Sequence, residues 1–323
     1  MSSIHYIVKN NRKNGDKMYL YRIETDKDKN LSSFEKLEKI IKKAPLAGPN
    51  SERLKQELEN IKEFGTATAF LTLMELKKQR GIKIPPFCGC LPYSYIAYIL
   101  DITEINPAKY DLCSCFSAHC PELIYILASD KNDISNITAD RIEELSSSEY
   151  SKDVILMWKM VNNFDELTIE NFEKFMRLKE KSSKETFRNK IYNLDKLNIE
   201  NLCNIIAELR ISRWTKKVSP QDISNIPDNF YNIFSLTNGK LLYQEQLYEI
   251  CKKLLGCDYK RFSKLALAIE CQNPFTRPLL KGNDEDFLAE VINKSQYLER
   301  KGNILHQALL LRKILKKQKE RKS

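Results

Sequence analysis

Helix-breaking residues are scarce in this chain. Its 323 residues include nine glycines and eleven prolines, set among long runs of Leu, Ile, Glu and Lys. A chain so poor in turn-formers, with apolar residues recurring every three or four positions, is constrained to be mainly helical. Hydrophobic residues make up 42% and charged residues 30%, enough apolar material for a real core and too much for a disordered chain. No apolar run approaches the ~20 residues that cross a bilayer, and the N-terminal MSSIHYIVKNNRKNGDK has no apolar signal region. The expectation is a cytoplasmic protein with no membrane partner.

Positive charge is unevenly placed. Residues 183–323 carry 26 Lys/Arg against 16 Asp/Glu, whereas residues 1–182 carry 27 of each. The whole excess of +10 lies in the C-terminal half, which suits a polyanionic partner such as nucleic acid; the plainer reading is a solubilising surface.

Local signals divide the chain. Residues 1–30 read as a hairpin or irregular arm with MYLYRIE as a strand, and residues 32–44 as a helix with Ser33 as N-cap and Pro45 beyond its end. APLAGPN at 44–50 is a linker. A helix from Ser51 places Leu54, Leu58 and Ile61 on one face and ends near Gly65; residues 66–80 form the next, and GIKI opens a short strand. SYIAYILDI is apolar on nearly every side, as in a buried helix, and LIYILASD at 123–130 reads as a central strand. Residues 139–182 read as two or three amphipathic helices and 183–209 as another helical unit. GKLLYQEQLYEICKKLLG reads as a strong helix after a polar loop at 212–229, and NILHQALLLRKILKKQ as the last helix, with KKQKERKS as a basic tail that frays.

Several of these segments, in order, resemble the catalytic core of the bacterial DNA polymerase III alpha subunit, the C-family polymerases. SERLKQELENIKEFG (51–65), FLTLMELKKQRGIKI (70–84), SYIAYILDITEINP (94–107) and KYDL (109–112) follow the course of that family's palm. NLDKLNIENLCNIIAELR (193–210), ending at Arg210, GKLLYQEQLYEICKKLLG (239–256) and INKSQ (292–296) are similar to its fingers. The resemblance implies an α+β, predominantly helical fold: a reduced nucleotidyltransferase-like palm with a helical fingers-like region. The implied divisions are an N-terminal arm and linker (1–50), a palm-like region (51–135), a helical connector (136–182) and a basic fingers-like region (183–323).

The departures are as ordered as the matches. Where the family has a Gly-Arg-Gly-Ser loop for the incoming triphosphate, this chain has Phe87-Cys88-Gly89-Cys90, which supplies no cation. Anchored on Pro121-Glu122, the family's two metal-binding aspartates fall at Ala128 and Asp130, and one carboxylate cannot hold a pair of Mg²⁺ ions. The family's nucleotide-contacting Arg-Arg-x-x-Gly-Lys-Lys falls at Ala266, Leu267, Glu270, Cys271 and Gln272. Apolar positions persist where phosphate- and metal-binding ones do not. The resemblance therefore implies a degenerate polymerase-like protein without catalysis, with Asp130 as a relic, that binds DNA or a replication-type protein partner.

The candidate nucleic-acid contacts are Lys252, Lys253, Lys260, Arg261 and Lys264, interleaved with Tyr259 and Phe262, together with Arg210. Two other readings stand beside this one. A divergent active nucleotidyltransferase would use Asp130 and Mg²⁺ with a carboxylate such as Asp133, Asp140 or Glu144. A zinc-stabilised scaffold would draw on Cys88, Cys90, Cys113, Cys115, His119 and Cys120, although two Cys-x-Cys pairs are not the usual zinc knuckles and buried inert thiols would give the same spacing. Nine irregularly spaced cysteines argue against a disulfide framework. Tyr243-Gln244-Glu245-Gln246 reads as a hydrogen-bonding knot rather than an acid–base site, and His5 and His306 take no role.

Overall fold

The computed structural model describes residues 19–24, 31–43, 51–79, 82–83, 91–114, 123–128, 141–145, 149–163, 165–193, 198–214, 222–270 and 285–321. The chain forms two compact units, Met1–Phe175 and Met176–Ser323.

In the first unit four strands, β1 (Tyr19–Glu24), β2 (Ile82–Lys83), β3 (Leu123–Ala128) and β4 (Arg141–Glu144), form one antiparallel sheet in the order β2-β3-β1-β4. β1 lies along β3 with Tyr19 opposite Ala128 and Glu24 opposite Leu123. The helices are α1 (Leu31–Lys43), α2 (Ser51–Phe64), α3 (Ala67–Lys78), α4 (Tyr95–Ile99), α5 (Glu149–Asn162) and α6 (Ile169–Phe175). Leu37 and Ile41 of α1, Ile61 of α2, and Phe70, Leu73 and Leu76 of α3 meet Ile96 and Ala97 of α4 in a single core, with Ala128 at the end of β3 packed into it. Each such aliphatic burial is worth about 1.5–3 kcal/mol. That is why these short amphipathic helices, marginal alone, hold together.

The expected reduced nucleotidyltransferase-like palm is overturned. The unit is overwhelmingly helical, and its strands are two to six residues long. Of the two interior strands of the small sheet, β3 comes from the palm-like region and β1 from the N-terminal arm. A two-metal palm needs carboxylates projecting together from neighbouring strands. Here the position that resemblance assigns to the first aspartate is Ala128, fully buried in a hydrocarbon core. Among the described residues no group of three or more His, Cys, Asp or Glu could hold a metal ion.

Local readings need smaller corrections. α1 begins at Leu31, so Ser33 lies inside it rather than capping it. Residues 141–144, expected in a helix, are β4, because pairing along β1 outweighs the weak helical preference of so short a segment.

The second unit is helical: α7 (Lys181–Tyr192), α8 (Ile199–Trp214), α9 (Tyr231–Phe234), α10 (Gln244–Leu255), α11 (Tyr259–Glu270), α12 (Glu285–Lys294) and α13 (Lys301–Glu320). α8 and α13 pack along one another, through faces carrying the buried Leu202, Ile206 and Ala207 and the buried Ile304, Ala308 and Leu311. Residues 183–209 thus divide into two helices, and α10 starts at Gln244 because Leu241 to Tyr243 are extended. The basic tail does not fray at its start: α13 stays helical through Glu320. No helix among the described residues is long and apolar enough to cross a membrane.

Candidate functional site

Two sites emerge, one in each unit. The first is a turn held by a buried ion pair. On α2, Glu57 lies three residues from Leu54 and four from Ile61, which puts it on the edge of the apolar face, and it is 1% exposed. A carboxylate so placed must be fully hydrogen-bonded. Its Oε1 accepts from Arg53 Nε at 3.0 Å and from the Tyr95 amide at 2.9 Å. Its Oε2 accepts from Ser94 Oγ and from the Ile96 amide, both at 3.1 Å. Four donors converge on two oxygens, the arrangement an ionised carboxylate requires.

Burial pushes the Glu57 carboxyl up from its ordinary value, against the Tyr95 amide, the Arg53 guanidinium, the Ile96 amide and the Ser94 hydroxyl, which pull it down. Arg53 then spans the turn from the other side, donating to the carbonyl of Tyr93 at 2.6 Å and to that of Leu112 at 2.7 Å. Ser94 caps α4 by accepting from the Ala97 amide at 3.0 Å. Asp101 and Asp111 take left-handed backbone conformations at the two bends of the following loop, which aspartate tolerates better than most residues. Lys77 reaches the carbonyl and the carboxylate of Asp101.

This arrangement positions chain, with both oxygens of Glu57 taken up by hydrogen bonds. The amides that open α4, a place where a longer helix could receive a phosphate, are filled by the protein's own carboxylate. Sequence reading missed Glu57 and Arg53; the signal was an Arg and a Glu four residues apart on a helix whose next turn is Leu58 and Ile61. Of the residues singled out around this turn, Phe87 to Cys90, Cys115, His119, Cys120, Asp130, Asp133 and Asp140 lie outside the described residues. Cys113 is half-buried and disulfide-bonded, which the irregular cysteine spacing did not foretell. Glu144 is half-buried on β4 opposite Tyr21.

The second site is the corner between α10 and α11. Gly256, at a φ of 60°, ends α10 in the left-handed conformation that glycine adopts freely, and its amide donates to the Lys252 carbonyl at 3.0 Å. Asp258 opens α11 by accepting from the Arg261 amide at 2.7 Å. Tyr248, Tyr259 and Phe262 form an aromatic triangle with ring centroids 5.2–5.9 Å apart, fixing one helix against the other. Lys252 lies over the ring of Tyr248 at 5.8 Å, and Lys253 over the ring of Phe230 at 5.5 Å. Lys260, Arg261 and Lys264 recur at one- and four-residue spacing on the exposed face of α11. The five cations the sequence singled out are thus brought to one corner.

Their charges stand apart from the rest of the unit's ion pairs. Lys190 and Lys240 both reach Glu208 at 2.9 Å, Lys294 reaches Glu290 at 2.7 Å, and Lys301 reaches Glu200 at 3.1 Å. Burial alone would push Glu208 up, but Lys240 and Lys190 more than offset it and hold it below its ordinary value. Among the described residues no carboxylate forms such a pair with Lys252, Lys253, Lys260, Arg261 or Lys264. Arg210 belongs to the paired group: its Nε donates to Glu299 at 2.7 Å, and both side chains are largely buried. Ala266 is half-buried on α11, while Cys271 and Gln272 lie outside the described residues.

At the start of α10 lies a knot around Gln246. Its Oε1 accepts from the amides of Leu242 and Tyr243 at 2.8 and 3.0 Å, and its Nε2 donates to Thr237 Oγ1 and the Lys240 carbonyl at 3.0 Å and to the Ile233 carbonyl at 3.2 Å. Tyr243 donates to Asn204 Oδ1 at 2.9 Å. The Tyr243–Gln246 stretch orders neighbouring backbone, as its residue types suggested.

Comparison with known proteins bears on the first unit. The family described as "Bacterial DNA polymerase III alpha NTPase domain" matches residues 30–119, the stretch that holds Arg53, Glu57 and the anchored turn. The DNA polymerase III subunit alpha of Thermotoga maritima is 44% identical over 79 residues, which is 23% of this chain and 9% of that protein. The chain is a distant and partial homologue of bacterial DNA polymerase III alpha proteins, and it spans a small fraction of the relative it matches.

Proposed function

We propose that this protein is a catalytically inactive relative of the DNA polymerase III alpha chain that binds DNA along its phosphate backbone, with Lys252, Lys253, Lys260, Arg261 and Lys264 as the principal contacts. The observation that carries the reading is the exposed corner of five cations without carboxylate partners among the described residues, in a unit where Lys190, Lys240, Lys294 and Lys301 are closely paired. Like charges at helical spacing repel by a few tenths of a kcal/mol per pair. A phosphate backbone turns that cost into attraction through the release of its counterions. Tyr248, Tyr259 and Phe262 hold the corner rigid, so little ordering entropy is lost on binding. Such contacts position a duplex without reading its bases.

Inactivity is supported by Ala128, buried and apolar where the resemblance expects a metal-binding aspartate. Arg210 is left out of the contact set because Glu299 holds it.

The test is fluorescence anisotropy of a labelled primer–template, titrated with the protein at several salt concentrations. Replacing the five cations by Gln should reduce the slope of log affinity on log salt by about four. A primer–template that is not bound at low salt refutes the DNA reading, and Mg²⁺-dependent extension of the primer refutes the inactive one.

A further inference from the structure

α13 carries a second line of cations, on a helix face distinct from the α10–α11 corner. Arg312, Lys313, Lys316 and Lys319 fall within an arc of about 120° at 100° per residue. Lys313, Lys316 and Lys319 are exposed and Arg312 is half-buried. The opposite face cannot turn outward, because Leu311, Ile314 and Leu315 are buried at 0–3% exposure and the helix packs along α8. The cationic face is therefore fixed in orientation. Glu320 is the acid that shares it, and among the described residues none of the four cations forms an ion pair with a carboxylate.

Two ordinary explanations account for part of this line. Cations in the last turn of a helix complement its dipole, which explains Lys319. That effect is spent within a turn, so it does not reach Arg312 or Lys313. Pairing along the helix could stabilise a charged face, but Arg312–Lys316, Lys313–Lys316 and Lys316–Lys319 are all like-charge neighbours, which oppose helix formation. The sequence places charge here against the helix's own interest.

Density identifies the partner. The four cations cover about 10 Å of helix. One DNA strand carries about three phosphates over that distance. We infer that the cationic face of α13 is a second phosphate-backbone contact, separate from the α10–α11 corner and additive to it in salt dependence. The inference rests on the nucleic-acid reading given above.

The experiment compares wild-type full-length protein, the five-residue Gln variant of α10 and α11, and R312Q/K313Q/K316Q/K319Q, on a labelled duplex and a labelled single strand of equal length. The α13 variant should lose about three from the salt slope, with its helical circular dichroism and thermal midpoint unchanged. K313R/K316R/K319R should keep the wild-type slope, separating charge from side-chain identity. If the wild type binds neither DNA, the nucleic-acid reading fails and this inference falls with it. If the α10–α11 variant loses slope and the α13 variant does not, only this inference is overturned. Equal capture by phosphatidylserine vesicles, abolished in the α13 variant without any change on DNA, would overturn it in favour of a lipid surface.

Discussion

Replacing Glu57 by Ala should release the turn between α3 and α4. Glu57 is 1% exposed and receives four hydrogen bonds of 2.9–3.1 Å. Its removal leaves the Tyr95 and Ile96 amides buried without an acceptor, at about 1–3 kcal/mol each, and leaves Arg53 as a largely buried cation. Losing one partner of a buried ion pair costs about 3–5 kcal/mol. Because the losses share one site they do not add, and about 3–5 kcal/mol is the expected total. Glu57→Gln keeps a carbonyl acceptor and the shape but not the charge, so about 1–2 kcal/mol is expected, since neutral hydrogen bonds are roughly half as strong.

The chain has two units, so a single unfolding midpoint could blur the effect. Amide hydrogen exchange reads it locally. Tyr95, Ile96 and Ala97 should exchange orders of magnitude faster in Glu57→Ala, while α8 and α13 keep their protection. An Ala variant within about 1 kcal/mol of wild type would refute the claim that this ion pair holds the turn, because an orphaned pair of buried amides alone exceeds that.

Gln246→Leu should destabilise the second unit by about 2–4 kcal/mol, since five acceptors and donors lose one shared partner; urea unfolding followed by tryptophan fluorescence measures it, and a loss under 1 kcal/mol would show that water replaces the side chain. His306 is 8% exposed, and burial together with Lys313 pushes it down to about 3 from an ordinary value of 6.5. The unfolded chain then takes up a proton that the folded one refuses, so this contribution is full above pH 6.5 and is lost as pH falls toward 3. Between pH 7 and pH 5 the wild type should lose about 2 kcal/mol that His306→Leu does not. Parallel losses in the two proteins would exclude His306 as the cause.

Local features were legible and long-range ones were not. Ser94 as the start of a buried helix, the strands at Tyr19–Glu24 and Leu123–Ala128, and α10 all carry their signal within a dozen residues. The pairing of Tyr19 with Ala128 crosses more than a hundred residues, and no local pattern announces it. RIEE and the Ser/Glu-rich residues after it have helical composition, and only pairing with its neighbour β1 makes β4 a strand. The five cations of the α10–α11 corner were visible as residue types, but which lysines are already paired was not. Lys240 and Lys252 look alike in sequence, yet Glu208 lies 2.9 Å from the first. The palm was expected because motif order transfers more readily than the sheet that would carry it.

The homologous stretch and the excess charge fall in different units. Residues 30–119, matched by the polymerase family, lie in the first unit, while the balance of +10 lies beyond residue 182. In a polymerase, catalysis and grip on phosphate must meet at one place, because the metal ions and the cationic loop act on the same triphosphate. In the inactive protein proposed above, that coupling would not be needed. The buried carboxylate of Glu57 serves shape in the first unit, tied to Arg53, Ser94, Tyr95 and Ile96. On the DNA-binding reading proposed above, grip would rest on the surface cations of the second unit. Such a grip would be screened by salt beyond about 10 Å at 0.1 M and indifferent to base sequence. The steepness of salt dependence is therefore the measurement that most directly separates that reading from one in which the lysines merely keep the protein soluble.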